Sequence, residues 1–159
     1  MNLKLVCVGK LKETYFEDAC AEFAKRLSRY CALTVAEVAD ERIPESFSAA
    51  EARRAVEKEG ARILSRIRDG EHVIALCIGG KRMDSQAFAA RLARLAAEAA
   101  PAITFVIGGS DGLSDAVLDR ADERLSLSDM TFPHRLARLM LLEQLYRAFK
   151  IQRGETYHK

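Results

Sequence analysis

Apolar positions along this chain fall into two alternating patterns. Leu5 to Val8 is a continuous apolar run ended by Gly9, which suits a buried parallel strand. Phe16, Ala19, Cys20, Phe23, Leu27 and Tyr30 then recur at helical spacing. Leu33 to Val38 reads as a second strand. A polar loop from Asp40 to Phe47 leads to Ser48, which with Glu51 has the form of a capping box. The box opens a helix predicted through Val56, Ile63 and Ile67, with Gly70 as its stop. His72 to Ile78 is a third strand, ended by Gly79-Gly80. Asp84 or Ser85 caps a helix with Phe88, Leu92 and Leu95 on one face, and Pro101 breaks it. Ile103 to Ile107 is a fourth strand. Ser114 caps a short helix through Val117 and Leu118, a fifth strand lies near Arg124 to Leu127, and a last helix runs from His134 to Lys150.

Repeated strand–helix units predict an α/β fold: one domain, 1–159, with a parallel sheet flanked by helices. The last helix departs from the usual one-sided pattern. Leu136, Leu139, Met140, Leu141, Leu142, Leu145, Tyr146 and Phe149 cover nearly its whole circumference. Such a helix needs burial on two sides; in a chain this small either a homodimer supplies the second, the favoured reading, or the helix is simply sunk in the core.

Composition narrows the class. The chain is 49% hydrophobic and 30% charged, the balance of a soluble globular protein. No apolar run reaches membrane-span length, and the short apolar start lacks a cleavage site, so the cytoplasm is expected. Cys7, Cys20, Cys31 and Cys77 form no CxxC pair and no zinc-like cluster; no metal is expected. Net charge is only +2, but His134 to Lys159 holds six Arg or Lys against two acids. That basic end fits a phosphate-bearing partner, or simply a solvated helix end.

The candidate chemistry gathers in the C-terminal third. No strand end carries GxGxxG or a Walker lysine, which disfavours dinucleotide and ATP sites. Gly9 and Gly79 read as turn residues. The fourth strand opens into Gly108-Gly109-Ser110-Asp111-Gly112, the fifth into Ser128-Asp129-Met130-Thr131-Phe132-Pro133-His134. Loops at the carboxyl ends of parallel strands are where α/β sheets bind ligands. Met130 and Phe132 make sense in a polar loop if they wall an apolar pocket, or if the loop packs over the sheet edge. The tail, Arg153 to Lys159, is expected to be disordered unless something anchors it.

Several stretches together resemble a known family. They are Val8-Gly9-Lys10-Leu11-Lys12, Phe105-Val106-Ile107-Gly108-Gly109, Leu125 to His134, Glu143 to Lys150, and Tyr157-His158-Lys159. The chain is similar over its length to the ribosomal RNA large subunit methyltransferase H family, SPOUT-class enzymes that use S-adenosylmethionine. Ser110-Asp111 departs from other members, with the glycines kept.

The resemblance implies a sheet whose C-terminal segment threads a trefoil knot, and a homodimer with its site at the subunit interface. It implies methylation of N3 of a pseudouridine in large-subunit rRNA, on the assembled ribosome. The cofactor positions it implies are Leu76, Gly108, Leu127, Ser128, Asp129, Met130, Thr131 and Phe132. Those for the nucleotide are Arg147, Tyr157 and His158. A histidine's ordinary pKa of about 6.5 makes His158 the candidate base. Two other readings stay open: a non-catalytic RNA- or ribosome-binding module, and a transfer RNA methyltransferase of the same fold.

Overall fold

The computed structural model describes residues 1–159. Five strands form one parallel sheet in the order β2-β1-β4-β3-β5: β1 (Asn2–Val8), β2 (Ala32–Val38), β3 (His72–Arg82), β4 (Ile103–Ile107) and β5 (Glu123–Ser126). The helices are α1 (Thr14–Leu27), α2 (Ala49–Leu64), α3 (Ser85–Ala97), α4 (Asp115–Arg120) and α5 (His134–Gln152).

Strand alternation sorts the core into two layers. Leu3, Leu5, Cys7, Ile103, Phe105 and Ile107 point to one face and pack with α1, α3 and α5. Val6, Val8 and Val106 point to the other, with Ile63 of α2 and Val117 of α4. Both faces of the central strands are therefore buried, which is why they read as unbroken apolar runs. Phe105 is fully buried, worth about 2–3 kcal/mol against solvent exposure. One polar cluster lies within the valine-lined side: Glu71 accepts from Lys4 Nζ and, at 2.9 Å, from the Thr104 hydroxyl. Burial alone would raise the Glu71 pKa, but the bonds from Lys4 and Thr104 outweigh it and hold the carboxyl below its ordinary range.

The expected caps form at Ser48, Asp84 and Ser114, each accepting a backbone N–H three residues on. Asp84 rather than Ser85 caps α3; the Ser85 hydroxyl instead donates to Gln144 at 2.7 Å. Two boundaries differ from the sequence expectation. Helix α2 ends at Leu64, short of Ile67, and Gly70 sits beyond it at φ +82. Strand β3 does not stop at Gly79-Gly80. It continues to Arg82 after a register slip in which Leu76 and Lys81 both lie opposite Leu125. Gly80 makes that return possible: a Cβ there would stand 2.4 Å from the Leu125 carbonyl carbon.

Helix α5 is covered more fully by its own chain than its sequence suggests. Every residue from His134 to Ile151 is buried or half-buried. The sheet, α1 and α3 take up Leu141, Leu142, Leu145, Ala148 and Phe149. Arg135 pairs with Glu13 at the start of α1, while Phe149 stacks on Tyr30 beyond its end. So α5 runs beside α1 from the carboxyl edge of the sheet to its amino edge.

Candidate active site

The sheet register gathers the three segments expected to bind a cofactor. Leu76 pairs with Ile107 on one side and Leu125 on the other. Gly108 follows Ile107 directly, and Leu127 lies two residues past Leu125. These segments therefore line up across β4, β3 and β5 at one edge. Gly108 is buried, and a Cβ on it would stand 2.6 Å from the Gly112 carbonyl oxygen. The Gly109–Gly112 turn thus folds directly back over Gly108, closed by a 3.1 Å bond from Gly112 N–H to Gly109 O. At this position the requirement for glycine is space, not torsion.

The loop after β5 is held by its own serines. The Ser126 hydroxyl donates to the Ser128 carbonyl at 2.9 Å, and the Ser128 hydroxyl accepts from Met130 N–H at 3.0 Å. These bonds turn the Met130 side chain outward, where it is 74% exposed, while Phe132 is half-buried. Asp129 pairs with Arg82 of the extended β3 at 2.6 Å, on the surface, where such a pair adds little stability. Leu127 and Ser128 are half-buried; Thr131 is exposed. The set offers backbone groups, a close glycine turn and the half-buried apolar side chains of Leu76, Leu127 and Phe132; the expected contribution of Met130 to an apolar wall is not formed, because its side chain faces solvent.

The tail is ordered, and its anchor is visible. Glu155 receives the Tyr30 hydroxyl at 2.8 Å and the Lys150 ammonium at 2.5 Å. Gly154, at φ +64, turns the chain back along α5. Tyr157 and His158 then meet Arg147. The guanidinium lies 4.7 Å from the Tyr157 ring centroid, and Arg147 Nη1 stands 3.3 Å from His158 Nδ1. Arginine can only donate, so Nδ1 is the acceptor and Nε2 carries the proton in neutral His158. Glu143 organises the group: its Oε1 accepts from Arg147 Nε at 3.0 Å and from the Tyr157 hydroxyl at 3.0 Å. Burial, then the Glu143 bond, raises the Tyr157 pKa, so the phenol stays protonated.

The two groups of residues join α5 at different points along its length. The β5 loop enters α5 at His134, and Arg147 lies far along the same helix. At about 1.5 Å rise per residue they stand about 20 Å apart.

The chain matches the family described as "Predicted SPOUT methyltransferase" over residues 1–158. It belongs to the SPOUT methyltransferases. It is 55% identical over the full length of both chains to the ribosomal RNA large subunit methyltransferase H of Listeria monocytogenes serotype 4b (strain CLIP80459). Its counterparts of that name in Lactobacillus acidophilus and Clostridium acetobutylicum are each 53% identical, again over the full length of both chains. This places the chain in the methyltransferase H family among the SPOUT enzymes. Two solved structures share the fold at 13% identity and TM-score 0.52. A probable methylase family protein from Haemophilus influenzae Rd KW20 matches 96% of this chain and 66% of its own. A probable methyltransferase from Bordetella pertussis Tohama I matches 92% and 95%.

Two residues that organise this candidate site are given no role by the sequence. Glu143 reads there only as a charge, although Glu143 and Arg147 have the i, i+4 spacing of a helical ion pair. Arg138 reads as part of a basic end, yet it is 4% exposed and holds Glu37 at 2.9 Å and the Gly9 carbonyl at 3.0 Å. It ties the start of α5 to the ends of β1 and β2. His134 lies beside it; burial and then Arg135 and Arg138 lower its pKa, which keeps that ring neutral.

Proposed function

We propose that this protein transfers a methyl group from S-adenosylmethionine to N3 of a pseudouridine in large-subunit ribosomal RNA, on the assembled ribosome. The observation that carries the reading is full-length identity of 55% to an enzyme named for large-subunit rRNA methylation, joined to an intact loop set and an intact tail. The same relationship supports a C-terminal trefoil knot and residence in the cytoplasm.

The cofactor would be held by Leu76, Gly108 and the stretch Leu127, Ser128, Asp129, Met130, Thr131 and Phe132. Bound there, it supplies a methyl already activated on a sulfonium. The chain's own work is to aim N3 of the base at that methyl, exclude water and accept the N3 proton. Arg147 steadies negative charge on the ring or holds a phosphate. Tyr157 stacks on the base or donates to a carbonyl. His158 takes the proton, which requires its Nδ1 to leave Arg147 or its ring to rotate. No metal takes part.

The spacing of about 20 Å between His134 and Arg147 along α5 supports a homodimer. With loops and tail set apart along the helix, a partner's tail laid against the loops would complete the site. Separation along α5, more than its apolar circumference, supports the second subunit.

Methyl-labelled S-adenosylmethionine offered with unmodified ribosomes, separated subunits and naked rRNA tests the reading. Label in ribosomes, mapped by mass spectrometry to N3 of one pseudouridine, is the expected result. Cofactor binding with no label in any substrate would overturn the substrate, and label in transfer RNA alone would move the protein to the rival reading.

A further inference from the structure

The tail cluster has a neighbour that the reaction scheme leaves unused. A cleft of about 490 Å³ opens between the end of α1 and the end of α5. Its cations are Lys25, Arg26, Arg29 and Lys150, against the carboxylates of Glu22 and Glu155. Both carboxylates are already engaged: Glu22 holds Arg26 at 2.8 Å, and Glu155 holds Lys150 and Tyr30. Lys25 and Arg29 are exposed and have no carboxylate partner, nor does Arg153 at the cleft's edge.

Aromatic rings orient two of the cleft's cations, Arg153, which has no carboxylate partner, and Arg26, which Glu22 also holds. Arg153 lies 4.7 Å from the centroid of Tyr30, and Arg26 lies 5.2 Å from Phe23 and 5.7 Å from Tyr146. A cation on a ring face is oriented at modest cost and keeps its charge for an incoming anion. A basic helix end that merely complements the α1 dipole would account for Lys25 and Arg26. It does not account for Arg29 beyond the helix, or for Arg153 arriving from another element. The Tyr146 ring also meets Tyr157 at 4.9 Å, so the cleft is continuous with the Arg147, Tyr157 and His158 group.

We infer that this cleft binds backbone phosphates of the RNA strand flanking the nucleotide to be methylated. The inference rests on the function proposed above and supplies part of its substrate grip. Bonds to phosphate fix register without reading sequence, a task that an exposed basic surface of this kind suits.

The test pairs two double variants of equal charge change. Lys25→Glu with Arg29→Glu alters the cleft. Arg53→Glu with Arg54→Glu alters exposed positions of α2, on the opposite face of the sheet. Ribosome binding is measured against salt, with cofactor binding measured on the same samples. The cleft variant should bind ribosomes more weakly by on the order of tenfold or more at low salt. Its log–log salt slope should fall by about 1 for each phosphate that the cleft no longer neutralises. Cofactor affinity should hold, and the α2 variant should match the unaltered protein. Equal weakening in both variants, or none in the cleft variant, would overturn the inference. If the unaltered protein leaves ribosomes unlabelled, the substrate assignment fails by itself. The cleft is then judged on a plain single-stranded RNA oligonucleotide, where equal salt slopes for the two variants would overturn it.

Discussion

The Tyr157 hydroxyl and Arg147 Nε share one acceptor, Glu143 Oε1, each at 3.0 Å. One carboxylate oxygen therefore docks the tail and aims the guanidinium. Glu143→Ala removes the shared acceptor of both donors and loosens the tail beyond its Glu155 anchor. Turnover on ribosomes should fall by on the order of a hundredfold, the scale of misplaced positioning groups. Cofactor affinity, which the proposed function assigns to the loops, should stay within twofold or so. Glu143→Gln retains an acceptor oxygen and should recover part of the loss. Single-turnover methylation alongside calorimetry of cofactor binding checks this; unchanged turnover in Glu143→Ala would remove Glu143 from the site.

Gly108 tests the loop end. A methyl there would meet the Gly112 carbonyl oxygen and carbon at 2.6 and 2.8 Å, both backbone atoms that cannot step aside alone. Gly108→Ala should push the Gly109–Gly112 turn outward, at a cost of about 1–3 kcal/mol in stability. Cofactor affinity should drop by on the order of tenfold or more if the turn borders the proposed cofactor edge. Gly112→Ala meets no atom within 4 Å but sits at φ +83, so it should be strained through the backbone instead. Equal cofactor affinity for Gly108→Ala and the unaltered protein would show that the turn does not border the cofactor.

Much of this arrangement is legible in the sequence for specific reasons. Buried parallel strands announce themselves as apolar runs, and the ligand edge follows from where those runs open into glycine and serine. The β3 extension is hidden because Gly79-Gly80 looks like a stop. Only the slipped register shows Gly80 passing over the Leu125 backbone. The tail's order is hidden too, since the bond from Tyr30 to Glu155 joins residues 125 positions apart. The two-sided look of α5 has a similar origin, because periodicity cannot tell a partner subunit from α1 and α3 of the same chain.

Acid stability should depend on the buried Glu71 carboxyl. Its folded pKa lies below its ordinary value of 4.5. The stability it contributes is therefore complete above that value and lost as pH falls through the lower, folded value. Glu71→Gln should be less stable than the unaltered protein at pH 7, with the gap in Tm narrowing as pH drops below about 4.5. Lys4→Met leaves the carboxylate buried and unpaired and should cost more, about 3 kcal/mol at pH 7. Thermal melts of the three proteins from pH 7 to pH 3 check the sign; a gap that widens on acidification would contradict the role given to Lys4 and Thr104.

The distance along α5 makes the strongest demand on the proposed dimer. His134 and Arg147 are about 20 Å apart along the helix, so the proposed reaction draws the loops from one subunit and the tail from the other. A protein altered only in the tail, His158→Ala, and one altered only in the loops, Gly108→Val, should each be nearly inactive alone. Unfolded together and refolded at equal amounts, they should form heterodimers as about half of all dimers. Each heterodimer joins the sound loops of one chain to the sound tail of the other at one of its two sites. Activity should therefore return to about a quarter of the unaltered level. Mixing without refolding should restore nothing until subunits exchange. If co-refolding restores no activity although heterodimers are seen by native mass spectrometry, loops and tail must work within one chain. The tail would then have to leave Glu143 and travel the length of α5 in every turnover.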